Sequence, residues 1–338
     1  MTNRERMTAV MNGQKPDKLP FAIYGETPTG DPVWCELYEQ GLCIMPRVTV
    51  VKESFSSVET LVTHEVKNGY KVECRTMRTP IGEVSEVYKN GWQQEFFLKA
   101  PADYRVMQYI VENSTLEADY SGFYQRENEI GNNGMTIVRA DRSPIQKIIV
   151  DFAGLENFSY HQADDIDAVH SLIDALTDKM VRYFKLVADC PSLVVQIPEN
   201  LTSDQVGPDR YKKYHMPFYE KIIPNMHSKG KKVLTHYDGK IACLIDLIAK
   251  TSIDGLESLT TPPEGDLNYI DVRKSLPDKI IGANIGLSDY RLPLDKLKAK
   301  VKQFIEQAAP DGRNLFFEIS EDLPPNWKQT LPAILEDL

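Results

Sequence analysis

The segment His236-Tyr237-Asp238-Gly239 places an imidazole and a carboxylate two positions apart. If it ends a β-strand, alternation puts both side chains on one side. Two further carboxylates, Glu257 and Glu318, fall within later apolar runs. One imidazole and three carboxylates form a donor set that zinc accepts, with room for a substrate at an open position. Other divalent ions also take carboxylates, so the set is less specific than a thiolate cluster. Each residue alone has a plainer reading. A single strand-end histidine is more often a hydrogen-bonded structural residue, and a single glutamate an ion-pair partner. Their joint position argues for chemistry, because converging carboxylates need a neutralising partner and a metal is one candidate. Glu199 and Asn200 follow another apolar run and are candidates to orient a substrate, with Tyr237 lining its pocket.

Other reactive side chains carry less. His215 and His227 lie in a helical stretch and read as surface or packing residues, while His64, His161 and His170 have no chemical neighbours in sequence. Cys243, inside Ile241-Ala242-Cys243-Leu244-Ile245, reads as a buried apolar thiol. The aromatic stretch 211–219 has helical spacing and reads as packing. No nucleophile elbow, Walker A sequence or Gly-rich dinucleotide turn is present.

These residues need a frame. Apolar runs at 19–24, 47–51, 135–138, 193–197, 232–236, 255–259, 279–284 and 314–319 read as strands. Amphipathic stretches at 166–188, 208–228, 241–250, 292–307 and 326–338 separate the later ones. Asp165 and Gly207-Pro208 supply helix-opening chemistry, and Gly230 a helix end. Strand–helix alternation implies a parallel sheet, and about eight strands close a (β/α)₈ TIM barrel. In such a barrel the site lies at the carboxyl ends of the strands. Residues 60–125 differ: 70–77 and 83–88 alternate apolar and polar around Thr79-Pro80-Ile81-Gly82, which predicts an antiparallel β insertion. With no linker in view, residues 1–338 read as one domain.

Bulk composition sets the surroundings. The chain has 338 residues, 42% of them hydrophobic, enough for a sizeable core. With 39 basic against 49 acidic residues the net charge is −10, which disfavours nucleic acid and anionic membranes as partners. Neither a signal peptide nor a membrane span is expected. Cys35, Cys43, Cys74, Cys190 and Cys243 are scattered and contain no C-x-x-C pair, as expected of reduced thiols in the cytoplasm.

Several motifs look familiar together. The opening Arg4-Glu5-Arg6-Met7 with Met11-Asn12-Gly13-Gln14-Lys15-Pro16-Asp17-Lys18-Leu19-Pro20, and the stretch from Pro208 to His236, resemble the uroporphyrinogen decarboxylase superfamily, which includes cobalamin-dependent methyltransferases. Thr79-Pro80-Ile81-Gly82, Phe97-Leu98-Lys99-Ala100-Pro101 and Ser320-Glu321-Asp322-Leu323-Pro324-Pro325 resemble its methyltransferase-like members.

The resemblance implies a barrel and two possible activities. The decarboxylases carry arginines for substrate carboxylates in a segment beginning Pro-Val-Trp. Here Pro32-Val33-Trp34 runs to Gly41 without an arginine and with Glu36 and Glu39, so a polycarboxylate tetrapyrrole would meet repulsion. The zinc methyltransferases carry His-x-Cys where this chain has His236-x-Asp238, and a later thiolate roughly where Glu318 falls. Oxygen ligands make a harder Lewis acid, better suited to a methoxylated or N-methylated substrate than to a thiol. The reading is a zinc-assisted methyltransferase. His236, Asp238, Glu257 and Glu318 would be its ligands, and it would pass a methyl group from a small donor to a corrinoid protein. A homodimer is compatible with the resemblance. A porphyrinogen decarboxylase and a catalytically silent small-molecule-binding barrel are the alternatives.

Overall fold

A computed structural model describes residues 1–24, 32–319 and 323–338. Ser320, Glu321 and Asp322 of the last family-like motif lie outside the described residues. The described chain forms two compact units: Met1–Val50 with Tyr120–Ala140 and Val187–Leu338, and Val51–Asp119 with Asp141–Leu186.

The first unit is built on a nine-stranded parallel sheet. In chain order the strands are β1 (Phe21–Ile23), β2 (Leu42–Ile44), β3 (Arg47–Val48), β4 (Ile137–Arg139), β5 (Val194–Ile197), β6 (Lys232–His236), β7 (Gly255–Leu259), β8 (Ile280–Asn284) and β9 (Leu315–Ile319). Their spatial order is β2-β1-β9-β8-β7-β6-β5-β4-β3. The two end strands are separated in the chain by Met45-Pro46 alone. Pro46 has no N–H to give a ladder. The chain therefore stops pairing with β1 and starts pairing with β4, whose Ile137 amide donates to the Pro46 carbonyl at 3.0 Å. Just before β4, Gly134 bridges Ile44; a Cβ there would stand 1.8 Å from the Ile44 carbonyl oxygen, so only glycine fits.

Every expected strand is present within a few residues, and β2 is the one the sequence reading passed over. The helices hold less well. Ile166–Ala188 forms as expected, whereas 208–228 divides into Ser203–Arg210, a π-helix Tyr211–His215 and Met216–Ser228. Gly207, at φ 66°, breaks the helix just before Pro208, and Pro217, which has no amide hydrogen, stands where the π-helix gives way to the last segment. The 241–250 stretch shortens to a 3₁₀ turn Ala242–Leu244 and one helical turn Ile245–Ile248.

The core explains how the sheet positions chemistry. The helix Asn3–Met11, opened by a Thr2–Glu5 capping box, contributes Met7, Val10 and Met11 to a cluster with Ala22, Met45, Ile137, Val194, Leu234, Ile280 and Phe316. Side chains two apart on a strand share a face. The positions two beyond Ala22, Met45, Ile137, Val194, Leu234, Ile280 and Phe316 are Tyr24, Arg47, Arg139, Gln196, His236, Gly282 and Glu318. One apolar layer is thus followed by one polar layer, at the carboxyl end of the same strands.

The second unit carries the antiparallel insertion. Glu59–Lys67, Tyr70–Thr79, Gly82–Lys89 and Trp92–Glu95 form a meander, and Val51–Phe55 pairs with Ser114–Ala118. Asn68-Gly69 and Asn90-Gly91, all at positive φ, make the two-residue turns that suit the twist of a hairpin. Asp141 and Asp151 flank Lys147 at 2.8 and 3.5 Å. Among the described residues no helix is long and apolar enough to cross a membrane.

Candidate functional site

His236 ends β6, and the ladder sets it directly opposite Glu257 on β7. Its Nδ1 donates to Glu257 Oε2 at 2.6 Å. The same oxygen accepts from Gln196 Nε2 of β5 at 2.8 Å. All three side chains are buried. On the other side of the ring, Nε2 faces Asp238 Oδ2 at 3.5 Å, and Asn200 Nδ2 donates to that oxygen at 3.2 Å. Burial opposes ionisation of Asp238, but the His236 and Asn200 hydrogen bonds outweigh it and hold the carboxyl below the usual range.

Glu318 completes the cluster from β9. Its Oε1 accepts the Ser258 amide at 2.5 Å and its Oε2 accepts the Tyr24 hydroxyl. Arg47 lies 3.2 Å over the Tyr24 ring and donates to Gln196 Oε1 at 3.5 Å. Burial pushes the Glu318 carboxyl up to about 7, against the pull of the Ser258 amide, Arg47, His236 and a hydrogen bond with Glu257. Gly282 of β8 makes room for the pair. A Cβ there would stand 2.7 Å from Glu318 Oε1 and 3.1 Å from the Glu257 Cα.

The structure therefore brings His236, Asp238, Asn200, Glu257 and Glu318 together, and adds Gln196, Arg47, Tyr24 and Ser258. Other residues of the sequence reading lie around it. Tyr237 is fully buried, its hydroxyl 3.1 Å from that of Tyr211 and 2.9 Å from that of Tyr219. Tyr219 in turn donates to the buried Glu199 at 2.8 Å, so Glu199 belongs to this tyrosine relay. The cause is the π-helix, which turns Tyr211 inward and stacks His215 on it, ring centroids 5.3 Å apart. Cys243 is exposed, because Ile241 and Leu244 take the inward positions of its turn. His227 sits outside the cluster, 2.8 Å from Asp254.

The donor types at the cluster are those zinc accepts, but the placement is not that of a zinc site. His236 Nδ1 is spent on Glu257, whose Oε2 also holds Gln196, and Glu318 is spent on Ser258 and Tyr24. Among the described residues no three His, Cys, Asp or Glu side chains are grouped so as to hold an ion. What the arrangement offers as it stands is proton handling: an imidazole fixed by one carboxylate and facing another, beside a buried carboxyl, Glu318, that burial pushes toward its neutral form.

Next to this cluster opens a cavity of about 200 Å³, bounded among others by Asp238, Ser258, Thr260, Asn284, Tyr290 and Ile319. Asp238 and Ser258 belong to both cavity and cluster.

The model of the family described as uroporphyrinogen decarboxylase (URO-D) matches residues 151–328, more than half of the chain and the stretch that carries strands β5 to β9. The chain belongs to the uroporphyrinogen decarboxylase family. It is 25% identical over 149 residues to a uroporphyrinogen decarboxylase of Myxococcus xanthus, covering 43% of this chain and 40% of that one. It is 23% identical over 211 residues to a methylated-thiol–coenzyme M methyltransferase of Methanosarcina mazei, covering 53% and 56%. The chain thus spans about half the length of the curated relatives it matches. A solved methyltransferase from Methanosarcina mazei superposes over 100% of this chain and 98% of its own, with a TM-score of 0.58 and 12% identity. That likeness supports the α/β fold of a TIM-barrel-like uroporphyrinogen decarboxylase protein.

Proposed function

We propose that this family member is a methyltransferase that takes a methyl group from a small methoxylated or N-methylated donor and passes it to a corrinoid protein. The scaffold in this reading is one domain with a closed (β/α)₈ barrel, whose two end strands are a single stretch of chain split at Pro46. The observation that carries the proposal is the cavity of about 200 Å³ walled by Asp238, with His236, Glu257 and Glu318 behind it. It suits a compact donor and is too small for a tetrapyrrole, and Arg47, the arginine of the cluster, is engaged with Tyr24 and Gln196.

The corrinoid partner supplies the nucleophilic cobalt that accepts the methyl group. The chain's own residues do the rest. Asp238, Ser258 and Thr260 hold the donor against the cluster. When the bond to the methyl carbon breaks, its electron pair stays on the oxygen or nitrogen, which then needs a proton. Glu257 fixes His236 with Nε2 turned to the Asp238 side, so a proton can be delivered there, and the Glu257–Glu318 pair can replace it.

Methylation of reduced cobalamin, followed by absorbance with a panel of methoxylated and N-methylated compounds, tests the proposal. Donor-dependent formation of methylcobalamin that is abolished in His236→Ala is expected. Turnover of a porphyrinogen to a decarboxylated product, with no methyl transfer from any donor, would overturn it in favour of the decarboxylase alternative.

A further inference from the structure

The cavity beside the cluster has a floor, a rim and a charge. Ser258, Ile285, Tyr290 and Ile319 are buried and form its floor, while Glu264 and Leu287 are exposed at its rim. Two carboxylates stand on the wall. Asp238 accepts from Asn200 and faces His236, and Glu264 accepts the Ser288 hydroxyl at 3.0 Å. Among the described residues no Lys or Arg pairs with either, and no Lys, Arg or His is among those that line the cavity. Tyr290 is almost completely buried there, and its hydroxyl meets no hydrogen-bond partner. A buried hydroxyl without a partner costs free energy that a bound molecule can recover. The apolar parts of Ile285, Leu287 and Ile319 would be idle against a small hydrated metal ion, but they suit methyl groups.

An acidic wall, an aromatic ring and aliphatic contacts in one small cavity select for a compact organic cation. We infer that the cavity binds a methylated ammonium group, with Asp238 and Glu264 supplying the charge and Tyr290 the aromatic face, so that the donor is N-methylated and not methoxylated. This rests on the methyltransferase reading and narrows its substrate. Loss of one methyl breaks a C–N bond and leaves the electron pair on nitrogen. The methyl passes to the two-electron cobalt nucleophile of the corrinoid partner, and the amine takes up a proton from the His236 side. An anionic donor would meet both carboxylates.

Calorimetric titration of the full chain with choline and with its neutral isostere 3,3-dimethyl-1-butanol tests the inference without turnover. Choline should bind at least about 10-fold more tightly. Glu264→Gln, on the exposed rim, should weaken choline several-fold and leave the isostere unchanged, whereas Tyr290→Phe, which keeps the aromatic face, should preserve the preference for choline and Tyr290→Leu, which removes that face, should reduce it. Equal binding of the two compounds, no measurable binding of either, or a preference for choline that neither Glu264→Gln nor Tyr290→Leu alters would overturn it. The two readings fail separately. Selective choline binding with no methyl transfer to reduced cobalamin removes the methyltransferase, whereas transfer from methoxylated donors without cation selectivity removes only this inference.

Discussion

His236 and Glu257 face each other across the β6–β7 ladder as direct register partners, and the imidazole donates to the carboxylate at 2.6 Å. Backbone pairing, not the reach of flexible side chains, fixes their separation. Adjacent parallel strands lie about 4.8 Å apart, so a short side-chain hydrogen bond between opposed residues follows with little ordering cost. Gln196 steadies the carboxylate from the next strand.

Glu257→Gln should therefore damage catalysis more than folding. The amide keeps the volume but no longer holds the imidazole Nδ1–H against a negative charge. Methyl transfer should fall by about 100-fold or more, while the urea midpoint moves little. A rate within a few-fold of the wild type would show that this pair is structural.

Gly282→Ala asks whether the close approach of two carboxyl groups matters. The new methyl would come within 2.6 Å of the Phe316 ring and 2.7 Å of Glu318 Oε1. Overpacking of this kind costs about 1–3 kcal/mol, read as a lowered denaturation midpoint. Activity should drop further than the loss of folded protein accounts for; an unchanged midpoint would mean that the strand shifts freely.

Acid sensitivity should trace to His215. Burial pushes its imidazole down to about 3 from an ordinary 6.5, against the smaller pull of the Arg210 backbone. A depressed folded-state value means that the unfolded chain binds the proton first. The stability held by the neutral ring is complete above about 6.5 and is lost as pH falls toward 3. His215→Phe, which can keep the stack on Tyr211, should flatten the fall in urea midpoint between pH 6.5 and 4. An identical fall in both proteins would assign the effect elsewhere.

Metal content discriminates between two uses of the same four side chains. With His236, Glu257 and Glu318 engaged by one another and by Gln196, Ser258 and Tyr24, protein exposed to zinc and then dialysed should retain well under one equivalent by elemental analysis. One equivalent, lost in His236→Ala, would show that the hydrogen bonds give way to coordination.

Much of this was legible in the sequence. The strands announce themselves as short apolar runs, and the strand-end rule singles out His236, Asp238, Glu257 and Glu318 without coordinates. Gln196 and Arg47 escaped it. Gln196 sits inside the apolar run Val194-Val195-Gln196-Ile197, where a polar residue reads as noise unless the inward face is counted in steps of two. Arg47 belongs to a strand only two residues long, ended from behind by Pro46. The tyrosine relay was hidden for another reason. Helical spacing at 211–219 looks like ordinary packing, and only the π-helix, which periodicity does not reveal, aims the Tyr211 hydroxyl at Tyr237.

The polar layer and the cavity rim are held by different parts of the chain. Tyr24, Arg47, Gln196, His236, Glu257 and Glu318 are placed by ladders or lie directly beside them, whereas Glu264 and Leu287 stand in connecting segments beyond β7 and β8. Exchanging those connections would change which molecules are admitted without retuning the proton chemistry beneath. A lineage built this way can vary what the cavity admits while inheriting the cluster beneath it intact.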